Sequence, residues 1–245
     1  MGGFMKIAAM TIVKNEEYYL PVWLNYYRQF FSPKDIFVMD NGTDDGSTMN
    51  IHANVIKVIS EFSFDCQRLV DMVKAMQRQL LEIYDAVLFA EADEILVPKE
   101  HGRFDQHIKK FKVVRCNGFE VVHVMGKEPS LDWSRSILQQ RGFWFHNPEY
   151  CKPLLSKVPL DWEHGFHNCN PEPPIDPNFV LIHLRRIDYE HSKMRLLERA
   201  RWPRPPDQPV NKAHQWALPA NEFERWFRLP FPHLMPIPKE IRNVC

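Results

Sequence analysis

The chain has 245 residues, of which 44% are hydrophobic, and its 31 Lys and Arg residues balance 31 Asp and Glu residues. A chain of this length and apolar content can bury the core of one globular domain. Because the net charge is zero, the composition argues against a nucleic acid as partner. No run of about 18 apolar residues occurs in the sequence, so we expect no transmembrane segment.

The first residues and the cysteines predict a cytoplasmic location. Residues 1–6 carry neither a myristoylation signal nor the charged, apolar and small-residue series of a secretory signal. The five cysteines are an odd number without a close pairing motif, which is typical of a reducing compartment.

Three apolar strands are predicted in the first hundred residues, and polar residues follow each of them directly. The strands cover residues 6–13, 35–39 and 86–90. The residues that follow are, strand by strand, Lys14, Asn15 and Glu16; Asp40, Asn41 and Gly42; and Glu91, Asp93 and Glu94.

Segments with helical spacing alternate with these strands. Residues 16–31 and 65–84 repeat apolar side chains every three or four positions, and a further short strand is predicted over 54–59. In the second helix, Gln77 falls outside the predicted apolar face. This alternation predicts an α/β fold with a mostly parallel sheet flanked by helices. Ligands bind at the carboxyl ends of such strands, so we expect the three polar groups to converge on one edge.

The acidic residues after the third strand indicate a bound cation. Carboxylates a few Å apart do not all stay ionised unless a positive charge shares their site. A divalent metal is the cation that we expect. The alternative interpretation is a solvated acidic turn, and the convergence of three strand ends favours the metal.

Three motifs resemble those of GT-A fold glycosyltransferases of the family 2-like group. They are the opening Thr11–Glu17, the turn Asp40–Ser47 and the acidic segment Phe89–Leu96. The resemblance holds through about residue 100 and is looser beyond it. It departs at Glu91, where the family usually has the first Asp of an Asp-x-Asp motif. The resemblance implies a GT-A, Rossmann-like sheet that binds a sugar nucleotide.

The resemblance also implies which residues contact the nucleotide sugar. They are Lys14, Asn15, Glu16, Asp40, Asn41 and Gly42, with Lys152 in a Lys-Pro setting. The residue types suit this role, because Asp40 can accept a hydrogen bond from a ribose hydroxyl or a base N–H, and Gly42 permits a tight turn. An ordinary tight turn over residues 40–42 is the alternative interpretation.

Mn²⁺ or Mg²⁺ is the implied cofactor, bound by Asp93 with Glu91 and His183 as further ligands. Hard carboxylate oxygens suit both ions, which would act as a Lewis acid on the departing nucleoside diphosphate. His183 ends an apolar strand predicted over 179–186, and GT-A enzymes often add a late histidine. A structural role for His183 is one alternative. Structural zinc is a weaker one, with the candidate ligands His164, His167, Cys169 and His183.

An inverting transfer needs a base near the acceptor hydroxyl, and we predict Glu120 for this role. It lies in the apolar segment 118–125, where burial would raise the pKa of its carboxyl group. Pairing with a buried cation is the alternative for Glu120. Rival candidates for the base are Asp132, Asp161 and Glu163.

A shift to proline-rich composition beyond residue 200 predicts the domain organisation. Residues 1–200 would form a GT-A-like catalytic domain, with a nucleotide-binding half at 1–100 and an acceptor-side half at 101–200. Residues 201–245 would be an extension packed on the core, with a short helix over 221–228 capped by Asn221. The alternative for its aromatic face is contact with a membrane surface or a partner that carries the acceptor.

Together these features predict a metal-dependent, inverting glycosyltransferase acting in polysaccharide biosynthesis. It would move a hexosyl or deoxyhexosyl group from a nucleoside-diphosphate sugar to a hydroxyl of a glycan or lipid-linked glycan. One alternative is a catalytically silent sugar-nucleotide or glycan-binding module, which Glu91 in place of Asp favours. The other is a metal-dependent nucleotidyltransferase, against which the lack of a Gly-rich basic loop after the first strand argues.

Overall fold

The computed structural model describes residues 5–58, 61–62, 65–99, 104–108, 111–206 and 219–245. Its strands are β1 (Ile7–Val13), β2 (Ile36–Asp40), β3 (Asn54–Lys57), β4 (Ala86–Phe89), β5 (Glu94–Pro98), β6 (Val113–Val122), β7 (Phe143–His146), β8 (Pro153–Ser156), β9 (Ile175–Arg186) and β10 (Met235–Pro236). Its helices are α1 (Tyr19–Tyr27), α2 (Cys66–Leu81), α3 (Phe104–Ile108), α4 (Tyr189–Arg199), α5 (Ala220–Arg228) and α6 (Lys239–Arg242).

The strands form one sheet in the order β10-β7-β6-β8-β4-β1-β2-β3, with β9 paired to β5 and β6. Strands β4, β1, β2 and β3 are mutually parallel and form the first half of the sheet. The second half joins through β8, which runs antiparallel to both β4 and β6. The predicted α/β fold with a parallel sheet is therefore confirmed, and the second half adds antiparallel pairs.

Alternate residues of β1 pack against different helices. Ala9 and Val13 share a buried cluster with Trp23 of α1, whereas Ala8 and Met10 share another with Val73 of α2. Successive side chains of a strand point to opposite faces of the sheet. The two helices therefore cover opposite faces, and the carboxyl ends of the parallel strands stay open at the edge.

Helix α1 begins three residues later than the sequence predicts, at Tyr19 instead of Glu16. Asn15 adopts a left-handed backbone with φ of 53°. Its side-chain amide donates to Asp44 at 2.7 Å and accepts from the Asp44 N–H at 3.0 Å. These bonds tie the segment after β1 to the loop after β2, so the chain turns before the helix starts.

The position of Gln77 in α2 differs from the prediction for that helix. We expected it on a polar side, yet it is fully buried together with Val70, Val73 and Leu80. Its side-chain oxygen accepts the Leu160 N–H at 2.8 Å. The buried amide thus satisfies a backbone donor of the segment that leads to the 162–169 loop.

The carboxyl-terminal segment packs on the rest of the chain. Phe223 and Phe227 of α5 are buried with Val122 of β6 and Leu196 of α4. Helix α5 follows Pro219, which takes the capping position that we predicted for Asn221, whose side chain lies outside the described part of the structure. The division at residue 200 stays a prediction. In the described part of the chain, no helix has both the length and the apolar content to cross a bilayer.

Gly118 of β6 fixes the approach of Tyr150 to the sheet. An added Cβ at Gly118 would lie 2.6 Å from the Cβ of Tyr150 and closer still to its carbonyl group. We expect Gly118→Ala to lower the free energy of unfolding by about 2–3 kcal/mol in urea titrations, because backbone would have to move. Gly142→Ala is the control, since its Cβ would meet a Glu128 carboxylate oxygen at 3.3 Å, and a side-chain tip moves more readily. Equal losses in the two variants would contradict this account.

Candidate functional site

A cleft of about 800 Å³ lies along the carboxyl ends of the parallel strands. Lys14, Asn41 and Asp93, which follow β1, β2 and β4, line one side of it. Its other lining residues come from the second half of the chain, including Lys152 before β8 and His183 of β9. The three strand ends thus converge as expected, since each contributes a residue to the lining of this cleft.

Seven of the eleven residues that we predicted for the site line this cleft: Lys14, Glu16, Asn41, Glu91, Asp93, Lys152 and His183. Four lie outside its lining: Asn15, Asp40, Gly42 and Glu120. The structure therefore brings most of the predicted set together at one cleft, and the ligand contacts of all eleven residues stay predictions.

The loops after β1 and β2 hold each other in place at the cleft. The Lys14 ammonium donates to the Gly42 carbonyl at 2.6 Å, and Gly42 has a left-handed φ of 75°. Asp40 accepts from the Thr43 N–H at 2.8 Å and from the Thr48 hydroxyl at 3.0 Å. These bonds are those of a tight turn, and a direct ligand contact by Asp40 stays a prediction.

Glu16 pairs with two arginines of α4 at the cleft. Its carboxylate accepts from Arg195 and, at 3.2 Å, from Arg199. Burial raises the pKa of Glu16, while the two guanidinium groups act in the opposite direction. Glu16 and Arg199 both line the cleft, so this ion pair holds a cation at the site, and a direct ligand contact by Glu16 stays a prediction.

Lys152 lies between two carboxylates of the acidic segment. Its ammonium is 2.7 Å from Glu91 Oε2 and 2.6 Å from Glu94 Oε1, and both Lys152 and Glu94 are buried. Burial raises the pKa of Glu94, and Lys152 opposes that rise. The cation that we inferred for this acidic group is thus, in part, a lysine of the chain itself.

Asp93 and His183 face each other in the cleft. Asp93 Oδ2 lies 3.8 Å from His183 Nε2, and the His183 ring stacks on Tyr150 with ring centroids 3.9 Å apart. Burial opposes ionisation of Asp93, but His183, Arg199 and Arg195 together hold its pKa below the ordinary value. Asp93 is therefore an ionised, cleft-facing carboxylate.

The predicted set of three metal ligands is not assembled. Among the described residues, no group of three His, Cys, Asp or Glu side chains is placed to hold a metal ion. Glu91, the third predicted ligand, bonds to Lys152 instead. The remaining pair does fit a divalent cation, because a carboxylate oxygen and an imidazole nitrogen face each other beyond hydrogen-bond distance and both are ligands of Mn²⁺.

The candidate ligands for structural zinc are not assembled either, since no group of three metal-ligating side chains occurs among the described residues. His164 bonds to Gln67 at 2.7 Å, and His167 bonds to the Glu149 carbonyl at 2.6 Å. Each histidine thus has a separate partner.

Glu120 differs from the prediction in its charge environment. It is fully buried and accepts from Arg186, and its other oxygen lies 3.5 Å from His183 Nδ1. We expected burial to raise its pKa. Burial does act in that direction, but Arg186 and His183 outweigh it and the pKa is lowered. The expected rise is wrong because the carboxylate is paired with a buried cation, which was the alternative interpretation.

Solved structures similar to this chain include those of two GT-A-type glycosyltransferases. The structure of GalNAc-T7 with UDP, GalNAc and Mn²⁺ is 10% identical, with a TM-score of 0.48 over 95% of this chain and 55% of that one. S. aureus TarS 1–349 is 15% identical, with a TM-score of 0.42 over 86% of this chain and 68% of that one.

A second TarS structure, in complex with UDP-GlcNAc, matches over 55% of this chain and 38% of that one, at 15% identity and a TM-score of 0.35. This chain thus spans about half the length of the GalNAc-T7 structure. Neither a protein-family model nor a curated protein sequence matches it. The functional proposal therefore rests on the residues of the cleft.

Several residues of the cleft were missed by sequence analysis. Arg199, Tyr150 and Trp202 line it, and we had assigned none of them to the site. One signal was available for Arg199, since Arg195 and Arg199 are four residues apart and so share a helix face. Tyr150 and Trp202 reach the cleft through packing between distant parts of the chain, which no local pattern in the sequence indicates.

Proposed function

We propose that this chain is a glycosyltransferase that uses a nucleoside-diphosphate sugar as donor. The observation that carries the proposal is one cleft lined both by cationic side chains and by an ionised carboxylate that faces a histidine. The cations are Lys14, Arg185 and Arg199, and the facing pair is Asp93 and His183. A diphosphate complements the cations, and a divalent ion complements the pair.

The diphosphate would bind through the arginines. A guanidinium offers two parallel N–H groups to a phosphate, and burial of the cation strengthens that contact. Arg199 is held by Glu16 at 3.2 Å, so its position is fixed before a ligand arrives. Lys14 would add a point charge, and Asn41 would meet the nucleoside at the carboxyl end of β2.

Mn²⁺ or Mg²⁺ would be held by Asp93 and His183. Glu91 would not be a ligand, because it is paired with Lys152. When bound, such an ion supplies Lewis-acid stabilisation of the departing nucleoside diphosphate. Asp93 would orient the donor through its ionised oxygens, and Tyr150 would fix the plane of the His183 ring. Glu120 would support His183 from the side away from Asp93, between His183 and Arg186.

The acceptor would be a hydroxyl group of a glycan or lipid-linked glycan. The cleft volume of about 800 Å³ accommodates a sugar nucleotide with room for part of an acceptor. An inverting transfer then requires a base beside that hydroxyl.

Calorimetric titration with UDP, GDP, CDP and dTDP, with and without Mn²⁺, tests the donor site. We expect one diphosphate to bind more tightly than the other three and to need the metal. Failure of all four to bind would remove the basis of the proposal.

Arg199→Ala is expected to weaken binding of that diphosphate about tenfold or more, because a charge-assisted hydrogen bond contributes about 1.5–3 kcal/mol. Arg228→Ala is the matched control, since Arg228 lies on the exposed face of α5 and pairs with Glu224 at 2.9 Å. Unchanged affinity in Arg199→Ala would contradict the assigned phosphate contact.

A further inference from the structure

His167 lines the same cleft as Asp93 and His183. It lies on the 162–169 loop between β8 and β9, and its side chain is half-buried. The loop closes through a bridge between Trp162 and Cys169, and the Glu163 N–H donates to the Asn168 carbonyl at 3.0 Å. His167 is thus presented by a short, internally bonded turn.

The tautomer of His167 is set by a single contact. Its Nδ1 lies 2.6 Å from the carbonyl oxygen of Glu149. A carbonyl oxygen only accepts hydrogen bonds, so Nδ1 must carry the proton. The lone pair of a neutral His167 is therefore on Nε2, the nitrogen suited to receive a proton.

The position of the ring depends on Gly165. This residue has a left-handed φ of 76°, and an added Cβ would lie 2.7 Å from Cδ2 and 2.9 Å from Nε2 of His167. The ring therefore approaches the glycine most closely through Cδ2, and it occupies the space that a side chain at this position would need. A side chain at position 165 would push the ring from its place.

The core of the protein holds the turn that carries His167. Phe166 has a left-handed φ of 60°, which is strained for a bulky residue, and its buried ring lies 4.6 Å from that of Phe89 in β4. His164 is bonded to Gln67 of α2 at 2.7 Å. The turn is thus attached both to the sheet and to a helix, which fixes His167 relative to the strand end that carries Asp93.

The surroundings keep His167 unprotonated at neutral pH. Burial and the nearby Lys152 lower the pKa of His167 to about 4, and His183 acts in the same direction. The Glu149 carbonyl and the Glu91 carboxylate oppose this change. A group with such a pKa is unprotonated, and so available as a base, in the same pH range as an ordinary carboxylate.

We infer that His167 is the general base of the transfer, with the neutral imidazole accepting the proton of the acceptor hydroxyl at Nε2. This inference rests on the proposed glycosyltransferase function. As the acceptor oxygen attacks the anomeric carbon, its O–H bond breaks and the proton passes to Nε2. The bond from that carbon to the diphosphate oxygen breaks at the same time, and the nucleoside diphosphate leaves with the electron pair.

His167 has a better position for this role than Glu120, Asp132 or Asp161. None of these three lines the cleft, and Glu120 is enclosed with Arg186. Asp161 is paired with Lys74 at 2.5 Å. Glu163 lies on the same turn and lines the cleft, but its side chain is exposed. The ring of His167, in contrast, is held by its bond to the Glu149 carbonyl.

Donor hydrolysis tests the base with water as the acceptor. Free diphosphate is measured from UDP-glucose, UDP-galactose, UDP-GlcNAc, GDP-mannose and dTDP-glucose, for wild type and His167→Asn. Asn can still donate to the Glu149 carbonyl but has no counterpart of Nε2. We expect kcat to fall about 10²–10⁴-fold while the affinity for the diphosphate changes less than about threefold.

Gly165→Ala should cause a similar loss of kcat by displacing the ring. Gly126→Ala is its control, because Gly126 has a comparable φ of 84° and an added Cβ would have no atom of a described residue within 4 Å. Wild-type hydrolysis in His167→Asn would overturn the inference. Failure of wild type to bind any diphosphate would instead overturn the proposed function, so the two failures are distinguishable.

The tautomer provides a readout that does not depend on activity. Nitrogen-15 NMR of histidine-labelled protein at pH 7 should show a neutral ring protonated on Nδ1, with that signal missing in His167→Asn. A ring protonated on Nε2, or a charged ring, would overturn the inference whatever the hydrolysis assays show.

Discussion

Asp93→Ala is expected to abolish the effect of Mn²⁺ on diphosphate affinity and to reduce donor cleavage about 10³-fold. The variant removes an ionised carboxylate that faces His183 at 3.8 Å, and with it one of the two groups proposed to hold the cation. Electrophilic stabilisation of the leaving group contributes several kcal/mol in metal-assisted reactions, which corresponds to a loss of this size. Calorimetry with and without Mn²⁺, together with diphosphate release, measures both effects.

Asp85→Ala is the matched control for Asp93→Ala. Asp85 precedes β4, at the end opposite to the cleft, and its carboxylate accepts the Lys6 N–H at 2.7 Å. We expect its diphosphate affinity and its response to Mn²⁺ to equal those of wild type. Loss of metal dependence in both variants would indicate a general effect on folding and would contradict the role assigned to Asp93.

Lys152→Met is expected to lower the free energy of unfolding by about 3–5 kcal/mol at pH 8. Removal of the lysine leaves the fully buried Glu94 carboxylate without the ammonium 2.6 Å away, and an uncompensated buried charge is strongly destabilising. Lys74→Met is the control, because Lys74 pairs at 2.5 Å with a single carboxylate, and that carboxylate is 69% exposed. An exposed pair contributes at most about 1 kcal/mol, so equal losses in the two variants would contradict this account.

The loss in Lys152→Met should shrink as the pH is lowered. Burial raises the pKa of Glu94 even with Lys152 present, so without the lysine the folded state holds the Glu94 proton more tightly than the unfolded chain does. Protonation therefore stabilises the folded variant as the pH falls through that raised pKa, and the stability is lost again as the pH rises. Urea titrations at pH 5 and pH 8 should show the smaller difference from wild type at pH 5.

The sequence predicted the parallel half of the sheet well because its strands are local and strongly apolar. Residues 6–13 and 86–90 were expected as strands, and β1 and β4 occupy Ile7–Val13 and Ala86–Phe89. Their polar ends converge because parallel strands end at the same edge, a general property of such sheets. Lys14, Asn41 and Asp93 reach the cleft for this reason.

The partners within the site were less predictable because they come from distant parts of the chain. Lys152 was expected to face a ligand, and this stays a prediction; it lines the cleft, and the sequence did not indicate its pairing with Glu91 and Glu94, about 60 residues away. Glu120 was expected to gain a raised pKa, and its pairing with Arg186 depends on the parallel register of β6 and β9. Such pairings are decided by tertiary packing, for which a single sequence provides no periodic signal.

The most direct test of the proposed activity is phosphorus NMR of donor cleavage. Wild type with Mn²⁺ is incubated with each nucleoside-diphosphate sugar, and the products are followed over time. The proposed glycosyltransferase predicts growth of nucleoside-diphosphate signals at the expense of one donor, with none in Asp93→Ala. Release of pyrophosphate would instead identify a nucleotidyltransferase, and binding of a diphosphate without cleavage of any donor would identify a silent binding module; either result would contradict the proposal.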